Sequence, residues 1–169
     1  MLEALRKVTS HTADIYAVAT TQEEVGLRGA GTSAFGVDPD ISIGLDVTLA
    51  GDIPGATPDA YVTRLHEGAA IKIVDSSLLA NPRLVEHLRS IAEARGITYQ
   101  IEILPRGGND AGAQQRVRAG NIAATISIPT RYLHSVNESA SIADIDACVD
   151  LLAAFLEEAG SQSYAYTLD

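Results

Sequence analysis

Five short runs of small and β-branched residues, at 15–20, 41–47, 69–74, 98–104 and 123–128, alternate along the chain with segments of helical periodicity. Strands apolar on both faces belong in a sheet covered on both sides, and helices returning between strands supply that cover. The expected fold is α/β, a three-layer α/β/α sandwich around a mixed, mostly parallel sheet. With 169 residues, 46% of them apolar, the chain can bury one core and is too short for two ordinary domains.

The helices carry their own punctuation. Asn81-Pro82 reads as an N-cap followed by proline at the first helical position, with Leu84, Leu88 and Ile91 on one face up to Gly96. A short helix is expected at 27–35, and Gly51 to Pro58 is loop. The glycine-rich bend 105–112 leads into a helix running to about Ala119 and stopping at Gly120. Ser141 with Asp144 resembles a capping box opening a last helix to about Glu158. The first helix, with Leu2, Leu5 and Val8 at helical spacing, has no cap before it and reads as the continuation of something upstream. The domain is expected at 1–160, with 161–169 a loose tail.

Twenty-two acidic residues against 12 basic ones give a net charge of −10 without any basic block. Such a surface repels nucleic acid and anionic membranes, leaving small molecules, peptides or cations as partners. No window approaches 18 uninterrupted apolar residues and the amino terminus lacks an apolar signal core, so a cytoplasmic location is expected. The single cysteine, Cys148, falls on the stripe Ile145, Cys148, Val149, Leu152, Phe155 and reads as core.

Candidate chemistry begins where the first run stops at Glu23 and Glu24. Acidic side chains at the carboxyl end of a sheet strand sit where open α/β sheets gather ligands, and both can reach one ligand only if the backbone is already turning, as Gly26 and Gly29 allow. Polar residues at other strand ends or glycine-rich bends are Asp46, Asp52, Asp110 and His134. Carboxylates with a neutral imidazole suit zinc, cobalt or manganese, and one further carboxylate held off the metal could serve as general base. Each residue also has a plainer role: Glu23 and Glu24 as solvated acids, His134 as a loop histidine, Asp46 as a strand-end cap, Asp52 in a turn, Asp110 as a helix cap. Arg131 could pair with any of these acids. His11, His66 and His87 read as surface or structural.

Four strings in order, Val18 to Ala30, Leu45-Asp-Val-Thr48 with Asp52-Ile-Pro-Gly55, Gly107 to Ala113, and Ser127 to Ser135, resemble the glutamyl and deblocking aminopeptidases. These are two-metal peptidases that assemble as tetrahedral dodecamers, and some carry endoglucanase labels. The similarity runs from near residue 1 to about 158. It implies a metal-dependent aminopeptidase of zinc-peptidase-like fold, with two zinc or cobalt ions per complete site. Glu23 would be the general base, Glu24 and His134 would hold one metal, and Asp46 the other. Apart from the resemblance, Asp110 and Arg131 are placed on the substrate side, and from charge alone Arg131 or Arg106 could meet an acidic substrate side chain. The chain has Gly107-Gly-Asn-Asp110 where the family usually has Gly-Gly-Thr-Asp, a change beside the substrate region.

The family's His-x-Asp ligand motif and bridging aspartate are absent, so three of its five protein ligands are represented. The resemblance therefore covers the carboxyl-terminal half of a catalytic domain, with weak or single metal occupancy expected. An exposed sheet edge would invite self-association or pairing with a complementary amino-terminal half. The competing readings are a catalytically silent α/β module for binding or assembly, and a two-carboxylate glycosidase. The latter would leave His134 idle in a chain with two Phe and no Trp.

Overall fold

The computed structural model describes residues 1–165. Five principal helices, α1 (Leu2–Lys7), α2 (Arg28–Val37), α3 (Pro82–Arg95), α4 (Asp110–Gln114) and α5 (Ile142–Glu158), surround strands β1 (Ile41–Leu49), β2 (Ala69–Val74), β3 (Tyr99–Ile103), β4 (Ile122–Arg131) and β5 (Ser139–Ala140). The sheet order is β1-β4-β2-β3, with β5 also on β4. It is mixed: β1 runs parallel to β4 along its whole length and β2 parallel to β3, while β2 and the short β5 are antiparallel to β4.

The strand alternation sorts the two faces. Thr125 and Gly44 lie under α4, where Gly44 is required because a Cβ there would stand 2.9 Å from Asn109 Oδ1 and 3.1 Å from the Ala111 Cβ. Ile71 and Ile126 point the other way, into a core shared with Leu84, Leu88 and Ile91 of α3 and Leu151, Leu152 and Phe155 of α5. Helices therefore cover both faces, as the apolar strands demanded. Cys148 is buried in this core, and burial pushes its thiol up to about 12.

Local signals set most boundaries. The Asn81 side chain accepts from the amides of Arg83 (3.0 Å) and Leu84 (3.1 Å), and Gly96 closes α3 in the left-handed region at φ 65°. Three expectations are corrected. The Ser141 hydroxyl does not cap α5; Asp144 instead reaches back to accept from the amides of His66 (2.8 Å) and Gly68 (2.9 Å). The helix expected to reach Ala119 ends at Gln114 and continues as turns. The run at 15–20 is not a strand: it joins no ladder, and Tyr16 is 66% exposed. A strand exists only where a neighbour satisfies its backbone, and β1, the closest edge, pairs with β4 alone among the described strands.

The tail expected to be loose docks in part. Tyr164 is buried, its backbone oxygen accepts from Asn81 Nδ2 at 3.1 Å, and its hydroxyl meets His87 Nδ1 at 2.7 Å. Residues 166–169 of that tail lie outside the described residues. No described helix is long and apolar enough to cross a membrane.

Candidate active site

The chain turns sharply where the two glutamates lie. Backbone bonds from Gly26 and Leu27 to the Glu23 oxygen, and from Arg28 to the Gln22 oxygen, wind residues 22–28 into a tight reversal. Gly26 (φ 119°), Gln22 (φ 59°) and Leu27 (φ 56°) take left-handed backbone there. Two non-glycine residues in that region represent local strain held by the surroundings, a pattern that clusters at functional sites. Gly29 then starts α2 so close to residue 21 that its amide donates to the Thr21 oxygen at 2.9 Å. The outcome is that Glu23 and Glu24 face one region rather than opposite sides of a strand.

Three other elements bring charge to that region. Asp46 comes from the second half of β1, Asp110 from the start of α4, and His134 from the turn after β4. The Glu23 carboxyl is raised above its ordinary range, first by burial, then by the nearby carboxylates of Asp46, Glu24 and Asp110, with His134 opposing. Asp46 is likewise raised, chiefly by burial, against the opposing Val47 amide, which donates to its Oδ1 at 2.7 Å, and the Lys72 charge. Thr20 donates to Asp110 Oδ2, while Asp110 Oδ1 is buried without a hydrogen-bond partner.

His134 sits at φ 61°, two residues after Tyr132 at φ 59°, so this turn too is held in left-handed backbone, its amide donating to Glu138 Oε1 at 2.6 Å. The strained turn carries His134 Nε2 to 3.5 Å from Glu24 Oε1, with both side chains exposed. Two ligands each about 2.1 Å from a tetrahedral ion stand about 3.4 Å apart, so the spacing and the nitrogen–oxygen donor set fit a shared divalent ion. The fit stops at two donors: among the described residues no three His, Cys, Asp or Glu side chains are grouped to hold a metal. Asp46 and Asp110 contribute field at Glu23, and Asp46 is not grouped with Glu24 and His134.

Arg131 is occupied elsewhere. It forms a two-pronged pair with Asp52, Nε to Oδ1 at 3.1 Å and Nη2 to Oδ2 at 2.5 Å, which tethers the loop after β1 to the end of β4 and holds Asp52 below the usual carboxylate range.

The sequence reading passed over the polar network under the site. Lys72, only 1% exposed, lies on β2 with Nζ 2.9 Å from Glu102 Oε1 of β3 and 3.2 Å from Asp75 Oδ2. Thr48 of β1 donates to the same Glu102 oxygen at 2.5 Å, and Asn109 Nδ2 donates to Asp75 at 2.6 Å. Asn109 Oδ1 then accepts from Thr125 and from the Ala111 amide, both at 2.9 Å, fixing the first turn of α4 and hence Asp110. A lysine inside the apolar run 69–74 was the available signal, since lysine is almost never fully buried unless paired.

The fold and site together define an α/β sandwich that gathers carboxylates and an imidazole at the carboxyl end of its sheet. The family model for M42 glutamyl aminopeptidase matches residues 1–151, and the chain belongs to that family. It is 40% identical over 159 residues to a lysyl aminopeptidase of Pyrococcus furiosus, a match covering 94% of this chain and 44% of that protein. The aminopeptidase APDkam598 of Desulfurococcus kamchatkensis superposes with a TM-score of 0.91 at 45% identity, over 93% of this chain and 45% of its own. The TET1 peptidase of Pyrococcus horikoshii, described as assembling into a tetrahedron or a large octahedral shell, superposes at 0.67 with 34% identity, over 82% of this chain and 39% of its own. The chain thus spans less than half the length of the relatives it matches.

Proposed function

We propose that this chain contributes the general base and part of the metal-binding set of a metal-dependent aminopeptidase that removes amino-terminal residues from short peptides. The observation that carries the reading is Glu23 raised by burial and three acids, beside a Glu24–His134 pair at ligand spacing. Glu24 and His134 would hold one divalent ion, zinc or cobalt, and Asp46 would face a second. Such an ion would supply Lewis acidity to the scissile carbonyl and the attacking water. Glu23, off the metal and less acidic than an ordinary glutamate, takes the proton from that water and passes it to the departing amine. Asp110 would meet the substrate's amino terminus, because its buried Oδ1 still lacks a donor. Arg131 would serve the site by holding the loop at Asp52.

The alternative reading is an α/β assembly module without activity of its own. Homo-oligomerisation and a cytoplasmic setting belong to the first reading as proposals, the former drawn from the named assemblies of the TET1 relative. The test is hydrolysis of aminoacyl chromogenic substrates after chelation and reloading with cobalt or zinc. Glu23→Gln should lower turnover by about 10²- to 10⁴-fold, the range for a positioned base, while metal binding by calorimetry stays unchanged. Hydrolysis that persists in the loaded variant would remove Glu23 from the role. No hydrolysis by the loaded wild type would favour the assembly module.

A further inference from the structure

The turn that carries His134 lies outside the core. Thr130 and Arg131 pair with Ala140 and Ser139, so residues 132–138 form the loop of a hairpin between β4 and β5. Leu133 is half-buried and the other side chains of the loop are exposed, Val136 at 97%. Packing therefore does not dictate the backbone here, yet Tyr132 and His134 both hold left-handed φ values, 59° and 61°. Non-glycine residues stay in that region only where other contacts over-determine them. We propose that Glu138 is the positioning residue of His134: its carboxylate holds the His134 amide, fixes the left-handed turn and so sets the imidazole against Glu24. The proposal rests on the reading of Glu24 and His134 as a metal-binding pair and names the residue that prepares that pair.

The bonds inside the loop differ in kind. The Ser135 amide donates to the Tyr132 oxygen at 3.0 Å and the Asn137 amide to Ser135 Oγ at 3.3 Å, both neutral contacts that leave His134 itself untouched. The His134 amide donates to Glu138 Oε1 at 2.6 Å, a short charge-assisted bond and, among the described residues, the one that holds the histidine's own backbone. Both feet of the loop are anchored. Arg131 is held by the two-pronged pair with Asp52, and Glu138 directly precedes the β5 ladder. Between fixed feet, the bond to Glu138 selects which way the loop turns. The imidazole and the Glu24 carboxylate, 3.5 Å apart and both exposed, have no packing to keep them together. Their spacing is therefore inherited from the backbone. Without Glu138 the His134 backbone relaxes out of the left-handed region, the ring swings away, and an arriving ion meets one donor where two stood. Ligands held in place before the ion arrives bind it more tightly than ligands that must be ordered by it.

The experiment uses the whole 169-residue chain, stripped of metal and titrated with cobalt(II), followed by calorimetry and by the visible absorption of the bound ion. The wild type should bind a cobalt ion that His134→Ala abolishes. Glu138→Ala should weaken that binding about tenfold or more, the range for residues that orient a ligand from behind it, and should change the cobalt absorption. Glu138→Gln keeps an oxygen for the amide and should stay within about fivefold of the wild type. In the metal-free chain, exchange of the His134 amide should quicken about tenfold in Glu138→Ala while the urea midpoint stays where it was, because the side chain is exposed. Cobalt binding indifferent to Glu138→Ala would overturn the proposal and leave the metal reading standing. So would an equal loss in Glu138→Gln, which would make the charge itself, and not the hold on the amide, what the ion feels. A fall in the urea midpoint that matches the loss of affinity would make Glu138 a stability residue and overturn it as well. A wild type that binds no cobalt, or binds it regardless of His134→Ala, would overturn the metal reading and the proposal together.

Discussion

At the residue scale the site works by making carboxylates uncomfortable. Glu23 and Asp46 are both held above their ordinary range, chiefly by burial, so the folded chain binds their protons more tightly than the unfolded chain does. The stability these groups contribute is fully present below the unfolded value, 3.8 for Asp46, and is lost as pH rises through the higher folded value. Asp46→Asn cannot ionise and keeps an oxygen for the Val47 amide. With chelator present it should be more stable than the wild type at pH 7 and indistinguishable at pH 3, measured by urea unfolding. An equal change at both pH values would mean that packing, and not charge, is what the substitution alters. Arg131 shows the same scale from the other side. A guanidinium that spacing alone offered to several acids is committed to Asp52, and only the three-dimensional path of the loop made that choice.

At the level of elements, the reversal at 22–28 and the start of α2 place Glu23 and Glu24. A Cβ on Gly29 would stand 2.5 Å from the Thr21 nitrogen and 2.6 Å from its oxygen, both backbone atoms that cannot rotate aside. Gly29→Ala should therefore shift the turn, costing about 1–3 kcal/mol in thermal or urea unfolding as overpacked sites do. If the unfolding midpoint is unchanged, the approach of α2 to Thr21 is looser than described. The helices were legible because their signals are local: Asn81, Pro82 and Gly96 lie within α3 or at its ends. The Ser141–Asp144 box failed because Asp144 finds two better donors, the amides of His66 and Gly68, 78 and 76 residues away.

On the scale of the whole molecule, the buried ion group ties four elements together. Thr48 of β1, Lys72 of β2 and Glu102 of β3 meet in one cluster, and Asp75 with Asn109 links it to α4. Glu102 Oε2 is already without a hydrogen-bond partner, so the lysine is the group's main compensation. Lys72→Ala would leave the Glu102 charge buried without a cation, with Asp75 still held by Ser77, Leu78 and Asn109, and should destabilise the fold by about 3–5 kcal/mol by chemical denaturation. A loss below about 1 kcal/mol, the range of exposed pairs, would mean that water reaches the cluster.

The sequence by itself determined the α/β class, the Asn81 and Gly96 caps of α3, the apolar core with Cys148 inside it, and the strand ends and bends where Glu23, Glu24, Asp46, Asp110 and His134 are found. Those features depend on periodicity and on neighbours a few residues apart. Only the tertiary structure decided that Glu24 and His134 stand 3.5 Å apart, that Lys72 is buried among acids, and that Arg131 belongs to Asp52, 79 positions away. It also decided that residues 15–20, as strand-like as any run in the chain, form no strand here, because β propensity states what a segment suits whereas a ladder needs a second backbone to complete it.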